Sequence, residues 1–125
     1  MKPGNNELID RCRPVRTILS RVGDKWSVLI VIALREGPMR FNEIKRAAEP
    51  ISQRMLTLTL KGLERDGLVS RTVTPSKPPR VDYELTALGH SLREPVEALG
   101  RWAFDHHAEI DDAQTRFDEA ELASE

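Results

Sequence analysis

From Ile51 to Gly89 the chain reads ISQRMLTLTLKGLERDGLVSRTVTPSKPPRVDYELTALG, a helix followed by a β-hairpin with a basic, proline-rich tip. Ser52 is suited to cap the helix, since its hydroxyl accepts from an otherwise unpaired amide of the first turn. Ile51 before it is placed to staple onto Leu56. At the far end Gly67 takes the left-handed conformation that stops a helix, and Leu68 packs back on Leu63. These signals predict a helix over roughly Gln53 to Asp66. At about 100° per residue, Leu56, Leu60 and Leu63 fall on one narrow stripe, with Arg54, Thr57, Leu58, Lys61 and Arg65 on the other side. A helix with such an outer face fits the major groove of DNA, and a ribbon beside it can lay cations on the flanking phosphates.

The flanking segments extend this pattern. Asn42 is predicted to cap a short helix, Glu43 to Ala48, which Glu49 and Pro50 close because the residue before proline is pushed out of the helical region. Two helices joined by a turn of three or four residues make a helix-turn-helix. Downstream, Leu68 to Thr74 is rich in β-branched residues, and Val81, Tyr83 and Leu85 alternate with Asp82 and Glu84 as in a half-buried strand. Between them Pro75, Ser76, Lys77, Pro78 and Pro79 form a stiff loop. With Arg80 after it, the loop reads as a wing that touches DNA; the plainer alternative is a rigid loop that discourages edge pairing.

Further out, Val15 to Val22 reads as a helix ended by Gly23. Asp24 is placed to cap a second helix, Lys25 to Glu36, stopped by Gly37 and Pro38. Trp26, Leu29, Ile30, Ala33 and Leu34 are its expected core face. Val28, Val31 and Ile32 make it apolar nearly all round, so it is expected to be the central buried helix, with a second subunit as a further neighbour. Met39, Arg40 and Phe41 are expected to add a short third strand. After Thr86, an N-cap, Leu88, Leu92, Val96, Leu99 and Trp102 or Ala103 continue at helical spacing, with Pro95 marking either a kink or a helix start. A final helical segment, His106 to Ala123, is sparse in large apolar residues and is expected to dock on something.

At 125 residues and 39% hydrophobic, the chain is expected to form one domain that buries about two thirds of its unfolded surface. Its longest apolar run, Val28 to Leu34, is far shorter than the roughly 20 residues that span a bilayer, and no apolar signal segment opens the chain. A single cysteine excludes an internal disulfide framework and fits a reducing, cytoplasmic compartment. The net charge of -1 is unevenly spread: residues 1–39 carry +3, residues 40–80 carry +5 and residues 81–125 carry -9. Cations are thus concentrated in the segment assigned to phosphates, and the acidic C-terminal part disfavours DNA there.

Other functions lack their residues. There is no G-x-S-x-G, H-E-x-x-H, C-x-x-C or glycine-rich loop, so no catalytic residue, cofactor or enzyme activity is expected. His106 and His107 lie near Glu109, Asp111 and Asp112, but adjacent helical histidines point about 100° apart, which fits a solvated acidic helix better than a metal site. A winged helix that serves only as a protein-interaction module would carry an apolar outer face, where this one has Arg54, Thr57, Lys61 and Arg65. Single-stranded RNA calls for stacking aromatics, and the basic segment offers only Phe41.

From Cys12 to about Trp102 the chain resembles the HxlR family of bacterial winged helix-turn-helix transcription regulators, related in architecture to the MarR type. The matching motifs are Pro14-Val15, Gly23-Asp24-Lys25-Trp26, Gly37-Pro38, Arg40-Phe41-Asn42-Glu43, the block Ile51 to Val69, and Pro78-Pro79-Arg80-Val81-Asp82-Tyr83-Glu84-Leu85-Thr86. The resemblance implies a mainly α fold with a small β-hairpin, in which residues 24–86 form the DNA-binding core and residues 8–22 and 87–123 are terminal helices for dimerisation. It implies a homodimer on an inverted-repeat operator of double-stranded DNA. It assigns Ser52, Gln53, Arg54, Thr57 and Lys61 to the recognition helix and Lys77 and Arg80 to the wing, and Arg40 and Asn42 fall in a matching motif beside them. Leu58 stands where many relatives are polar, placed either on a thymine methyl or beside the backbone. Several members sense oxidants through an N-terminal cysteine followed directly by proline. Here Arg13 intervenes between Cys12 and Pro14, while Arg11 and Arg13 favour the Cys12 thiolate; an inert residue in an N-terminal arm is the alternative.

Overall fold

The structure, a computed structural model, describes residues 15–124. The described residues divide into two compact units, the first up to Arg93 and the second from Glu94. In the first, α1 (Arg16–Val22), α2 (Lys25–Ala33), β1 (Met39–Arg40), α3 (Phe41–Ala47), α4 (Gln53–Arg65), β2 (Val69–Thr74), β3 (Arg80–Leu85) and α5 (Ala87–Ser91) follow in order. The helix α6 (Arg93–Ala123) makes up nearly all of the second. The fold is that of a winged helix-turn-helix: mainly helical, with one small antiparallel sheet in the order β1-β3-β2.

Local signals set most helix ends. Asp24 accepts from the amides of Trp26 and Ser27 at 3.1 and 3.2 Å, opening α2. Ser52 Oγ accepts from Met55 N at 3.0 Å, opening α4, and Thr86 Oγ1 accepts from Gly89 N at 3.1 Å, opening α5. Asn42 does not cap α3. That helix begins at Phe41 with Arg40 as its N-cap, and the Glu43 carboxylate reaches back to Arg40 N at 2.9 Å. Once Arg40 pairs with Asp82 in the sheet, the chain turns directly from strand to helix and Asn42 is already inside the first turn. The short strand predicted at Met39 to Phe41 forms at its first two residues. α2 ends at Ala33, three residues before the predicted end, and a turn leads to Gly37.

The core of the first unit gathers Ile30 and Val31 from α2 with Leu34 just after it, Ile44 from α3, Ala48 and Ile51 from the turn that follows, Leu56, Leu60 and Leu63 from α4, Leu68 after that helix, and Val69 and Leu85 from the hairpin, all buried. Each buried leucine or isoleucine contributes roughly 1.5–3 kcal/mol relative to exposure. The buried face of α2 is rotated from the expected one. Ser27, Ile30, Val31 and Leu34 are inside, whereas Leu29 is 40% exposed and Trp26 is half-buried under Lys25 Nζ, 4.7 Å from its ring centroid. Because α2 is apolar on every side, its sequence sets no preferred face; packing on α3 and α4 does. The packed stripe of α4 is also wider than expected and includes Thr59 and Gly62. Thr59 is admitted by donating its hydroxyl to Met55 O at 2.7 Å. Gly62 is overlain by the Arg21 guanidinium of α1, which pairs with Asp66 at 2.9 Å.

One corner joins α4 to the hairpin. Gly67, with φ of 78°, lets Gly67 N bond Glu64 O at 3.0 Å and Leu68 N bond Leu63 O at 2.9 Å, the paired closure that ends a helix without orphaned carbonyls. Leu68 O then accepts from Thr86 N at 3.1 Å, and Thr86 Oγ1 donates to Gly67 O. Leu68 O also lies where a Cβ on Gly89 would have to be. In the second unit, Pro95 falls in the first turn of α6, where its missing amide costs nothing. α6 then runs unbroken for 31 residues, so the segment from His106 to Ala123 continues this helix instead of forming a separate one.

Two glycine replacements are expected to rank accordingly. Gly67→Ala should cost about 1–2 kcal/mol for a left-handed alanine, and Gly89→Ala about 3 kcal/mol or more, because backbone must move. Urea unfolding with an unchanged m-value checks the order; equal midpoints for the two variants would contradict the corner's geometry.

Candidate nucleic-acid interface

α4 presents Gln53, Arg54, Leu58, Lys61 and Arg65 outward, all exposed, on the side opposite Leu56, Leu60 and Leu63. Among the described residues no acid pairs with Arg54, Lys61 or Lys77, so these charges are available to an anion. Ser52 spends its hydroxyl lone pair on the cap. Thr57 is half-buried and donates to Gln53 O at 2.9 Å, leaving its methyl and its acceptor capacity. Leu58 is 53% exposed in the middle of this cationic face. That leucine lies outside the packed core of the first unit.

The hairpin register decides which side chains join α4. Val69, Arg71 and Val73 of β2 lie opposite Leu85, Tyr83 and Val81 of β3, and Met39 of β1 lies opposite Tyr83 on the other side. Arg71 and Tyr83 line a groove of about 280 Å³ with Thr57, Lys61 and Glu64 of α4. Arg71 therefore stands beside the outer face of the recognition helix. The opposite set of residues is polar: Arg40 and Thr72 flank Asp82, and Thr74 faces Arg80. Arg80 is bound by Asp82, Nε to Oδ2 at 3.0 Å.

A second cleft, of about 590 Å³, runs between the start of α3 and the start of β3. Arg40, Asn42, Arg46 and Arg80 line it, with Phe41, Pro79 and Val81 as walls. The structure thus brings the predicted Arg40, Asn42 and Arg80 together, in a place separate from the predicted Arg54 and Leu58. Lys77 lies on the exposed hairpin loop, where Ser76 Oγ donates to Pro78 O at 2.8 Å and shapes the tip. The Lys77–Pro78 and Glu49–Pro50 peptides are both cis.

Two cations, Arg46 and Arg71, were not singled out by the sequence reading. The signal for Arg46 is its spacing of four from Asn42, which puts both on one face of α3. For Arg71 the strand pattern gives alternation but not which side of the hairpin turns to α4. Cys12 lies outside the described residues. His106 turns Nδ1 to Trp102 O at 2.8 Å and stacks on that indole, with 4.7 Å between centroids. Among the described residues no helix is long and apolar enough to cross a membrane, and no group of three His, Cys, Asp or Glu side chains is placed to hold a metal.

An exposed helix that carries Arg54 and Lys61 outward, flanked by a β-hairpin with a basic loop, is equipment for reading a duplex. Comparison with known proteins agrees. A family model described as HxlR-like helix-turn-helix matches residues 21–111. The HTH-type transcriptional regulator YtfH of Escherichia coli (strain K12) is 42% identical over 102 residues, 82% of this chain and 79% of that protein. Among solved structures, the transcriptional regulator YtfH from Salmonella typhimurium superposes with a TM-score of 0.76 at 36% identity, covering 82% of this chain and 91% of that one. The redox regulator HypR in its reduced form superposes with a TM-score of 0.73 at 37% identity, covering 79% and 98%. This chain belongs to the HxlR-like helix-turn-helix family and is a DNA-binding transcriptional regulator, not an enzyme.

Proposed function

We propose that the protein binds an inverted-repeat operator as a homodimer in the cytoplasm, with α4 of each protomer in the major groove and the hairpin loop on the adjacent backbone. The observation that carries this reading is the outer face of α4, where Arg54 and Lys61 are exposed and unpaired around Leu58. Arg54 has the reach and fork geometry to read a guanine edge, Lys61 and Lys77 suit phosphates, and Gln53 can pair with adenine. Ser52 and Thr57 contribute through their position at the helix start, and Arg40, Asn42 and Arg80 through the neighbouring cleft.

Self-association is supported separately on each unit. In α1, Ile18 and Leu19 are more than half exposed. In α6, Leu99, Ala103, His106, Ile110, Ala113 and Phe117 recur at alternating spacings of four and three, the spacing of a helix seam. A face of this kind in water calls for a partner. A two-fold dimer placing two recognition helices in successive major grooves sets half-site centres about 34 Å apart. Inserting about five base pairs between the half-sites turns one of them to the other side of the duplex, so affinity should collapse, and it should recover with a full turn. Fluorescence anisotropy on a duplex selected by the protein from a randomised library measures this; indifference to the insertion would contradict a symmetric dimer. Affinity should fall steeply with salt, each neutralised phosphate contributing a slope of about -0.9.

Helix and wing should separate by mutation. Arg54→Ala is expected to cost about 1–3 kcal/mol on the selected duplex and to relax base preference, whereas Lys77→Ala should weaken all duplexes alike. Unchanged affinity and preference for Arg54→Ala would assign the reading role to another face.

A redox response through Cys12 is the second part of the proposal, favoured by the likeness to a regulator solved in oxidised and reduced forms. As the only cysteine, Cys12 has no partner for an intrachain disulfide, so a disulfide formed there joins it to a partner protomer's thiol or to a small thiol, the oxidant taking up the two electrons and two protons released. Diamide alone should therefore give a dimer band on a non-reducing gel, or diamide with added glutathione a mass shift of one glutathione, together with a changed DNA affinity, and Cys12→Ser should show neither. Identical behaviour of Cys12→Ser and the natural chain would remove the sensing role.

A further inference from the structure

Asp82 occupies the centre strand, with Arg40 opposite it on β1 and Thr72 opposite it on β2. Its carboxylate takes the Nε–H of Arg80, two residues earlier and on the same side of the strand, at 3.0 and 3.4 Å. It is the better buried partner, 22% exposed against 52% for the Arg80 side chain. Arg80 lines the cleft between α3 and β3 together with Arg40 and Arg46, and Asp82 does not. The one acid among the cleft's lining residues, Glu43, is engaged at Arg40 N. Three guanidinium groups therefore share an open cleft in which carboxylate is scarce.

We propose that this cleft seats a phosphate of the DNA backbone, and that Asp82 is a positioning residue that fixes the plane of the Arg80 guanidinium for it. The inference rests on the DNA-binding reading above. Held through Nε, Arg80 keeps both terminal amino groups, the pair that grips two phosphate oxygens at once. Arg46 supplies a second cation from α3. Asp82 has two opposed effects on binding. Its charge repels phosphate, while its hydrogen bond orders a long side chain before DNA arrives, sparing the entropy lost on ordering it then. The repulsion is moderated because the carboxylate is already paired and mostly withdrawn from solvent. Ordering therefore prevails while Arg80 is present. Without Arg80 only the repulsion remains.

That reversal of sign is the test, read by anisotropy at fixed salt on a duplex selected by the natural protein from a randomised library. Asp82→Ala should weaken binding about three- to tenfold, the coupling expected of two residues in direct contact. In an Arg80→Ala background the same replacement should tighten binding about twofold, as removal of a charge of the same sign as the phosphate does. Weakening in both backgrounds would mark a general effect on the sheet, and tightening or no change in both would mark plain electrostatics; each overturns the proposal. Arg46→Ala should reduce the salt slope by about one, and an unchanged slope would place the phosphate elsewhere. If the natural protein selected no duplex at all, the DNA-binding reading itself would fail, a result distinct from a duplex bound without the reversal.

Discussion

The turn at Gly67 and Leu68 sets the angle at which the wing leaves the recognition helix, and the geometry of the reading surface follows from it. Leu68 closes α4 with its amide, meets the strand β3 end through Thr86 with its carbonyl, and buries its side chain with Leu63 and Leu85 in the core. Gly67 supplies the left-handed backbone that this requires. Gly89 supplies the space that lets α5 approach the same carbonyl. Four elements thus converge on two residues. Displacing any of them would shift the hairpin relative to α4 and with it Arg71 and Tyr83, which stand beside Lys61.

Rigid placement matters because recognition of a duplex is a problem of register. Phosphate contacts fix where the protein sits, and only then do base contacts discriminate. In the proposed complex the first unit separates these roles in space. Arg54 and Leu58 stand on the outer ridge of α4, whereas Arg40, Arg46 and Arg80 gather in a cleft between α3 and the sheet. Beside that cleft Arg80 is held by Asp82.

The acidic balance of the chain belongs to a different part of the molecule. Residues 81–125 carry the surplus of Asp and Glu, and most of these lie on α6, whose apolar residues include Trp102, Phe104, Ile110 and Phe117, all exposed. A long helix that keeps large aromatics in water while carrying many carboxylates is poorly suited to DNA and well suited to another protein surface.

The features decided by neighbours in sequence were legible without a structure. Ser52, Asp24 and Thr86 cap the helices they were expected to cap, Gly67 ends α4, the hairpin forms between Val69 and Leu85, and the outer face of α4 is the expected one. Each depends on a side chain meeting backbone a few residues away, or on a periodicity of one amphipathic helix. Family motifs spread along the chain added the winged-helix fold and its function. What only tertiary structure decided were choices between faces and partners that are locally equivalent. α2 is apolar all round, so packing alone put Ser27 inside and Leu29 outside. The strand β1 claimed Arg40 and displaced Asn42 from the cap, Arg21 of α1 selected Gly62 for the packed side of α4, and the hairpin register brought Arg71 rather than its neighbours to the recognition helix. These outcomes depend on contacts between residues far apart in the chain, for which local propensity carries no information.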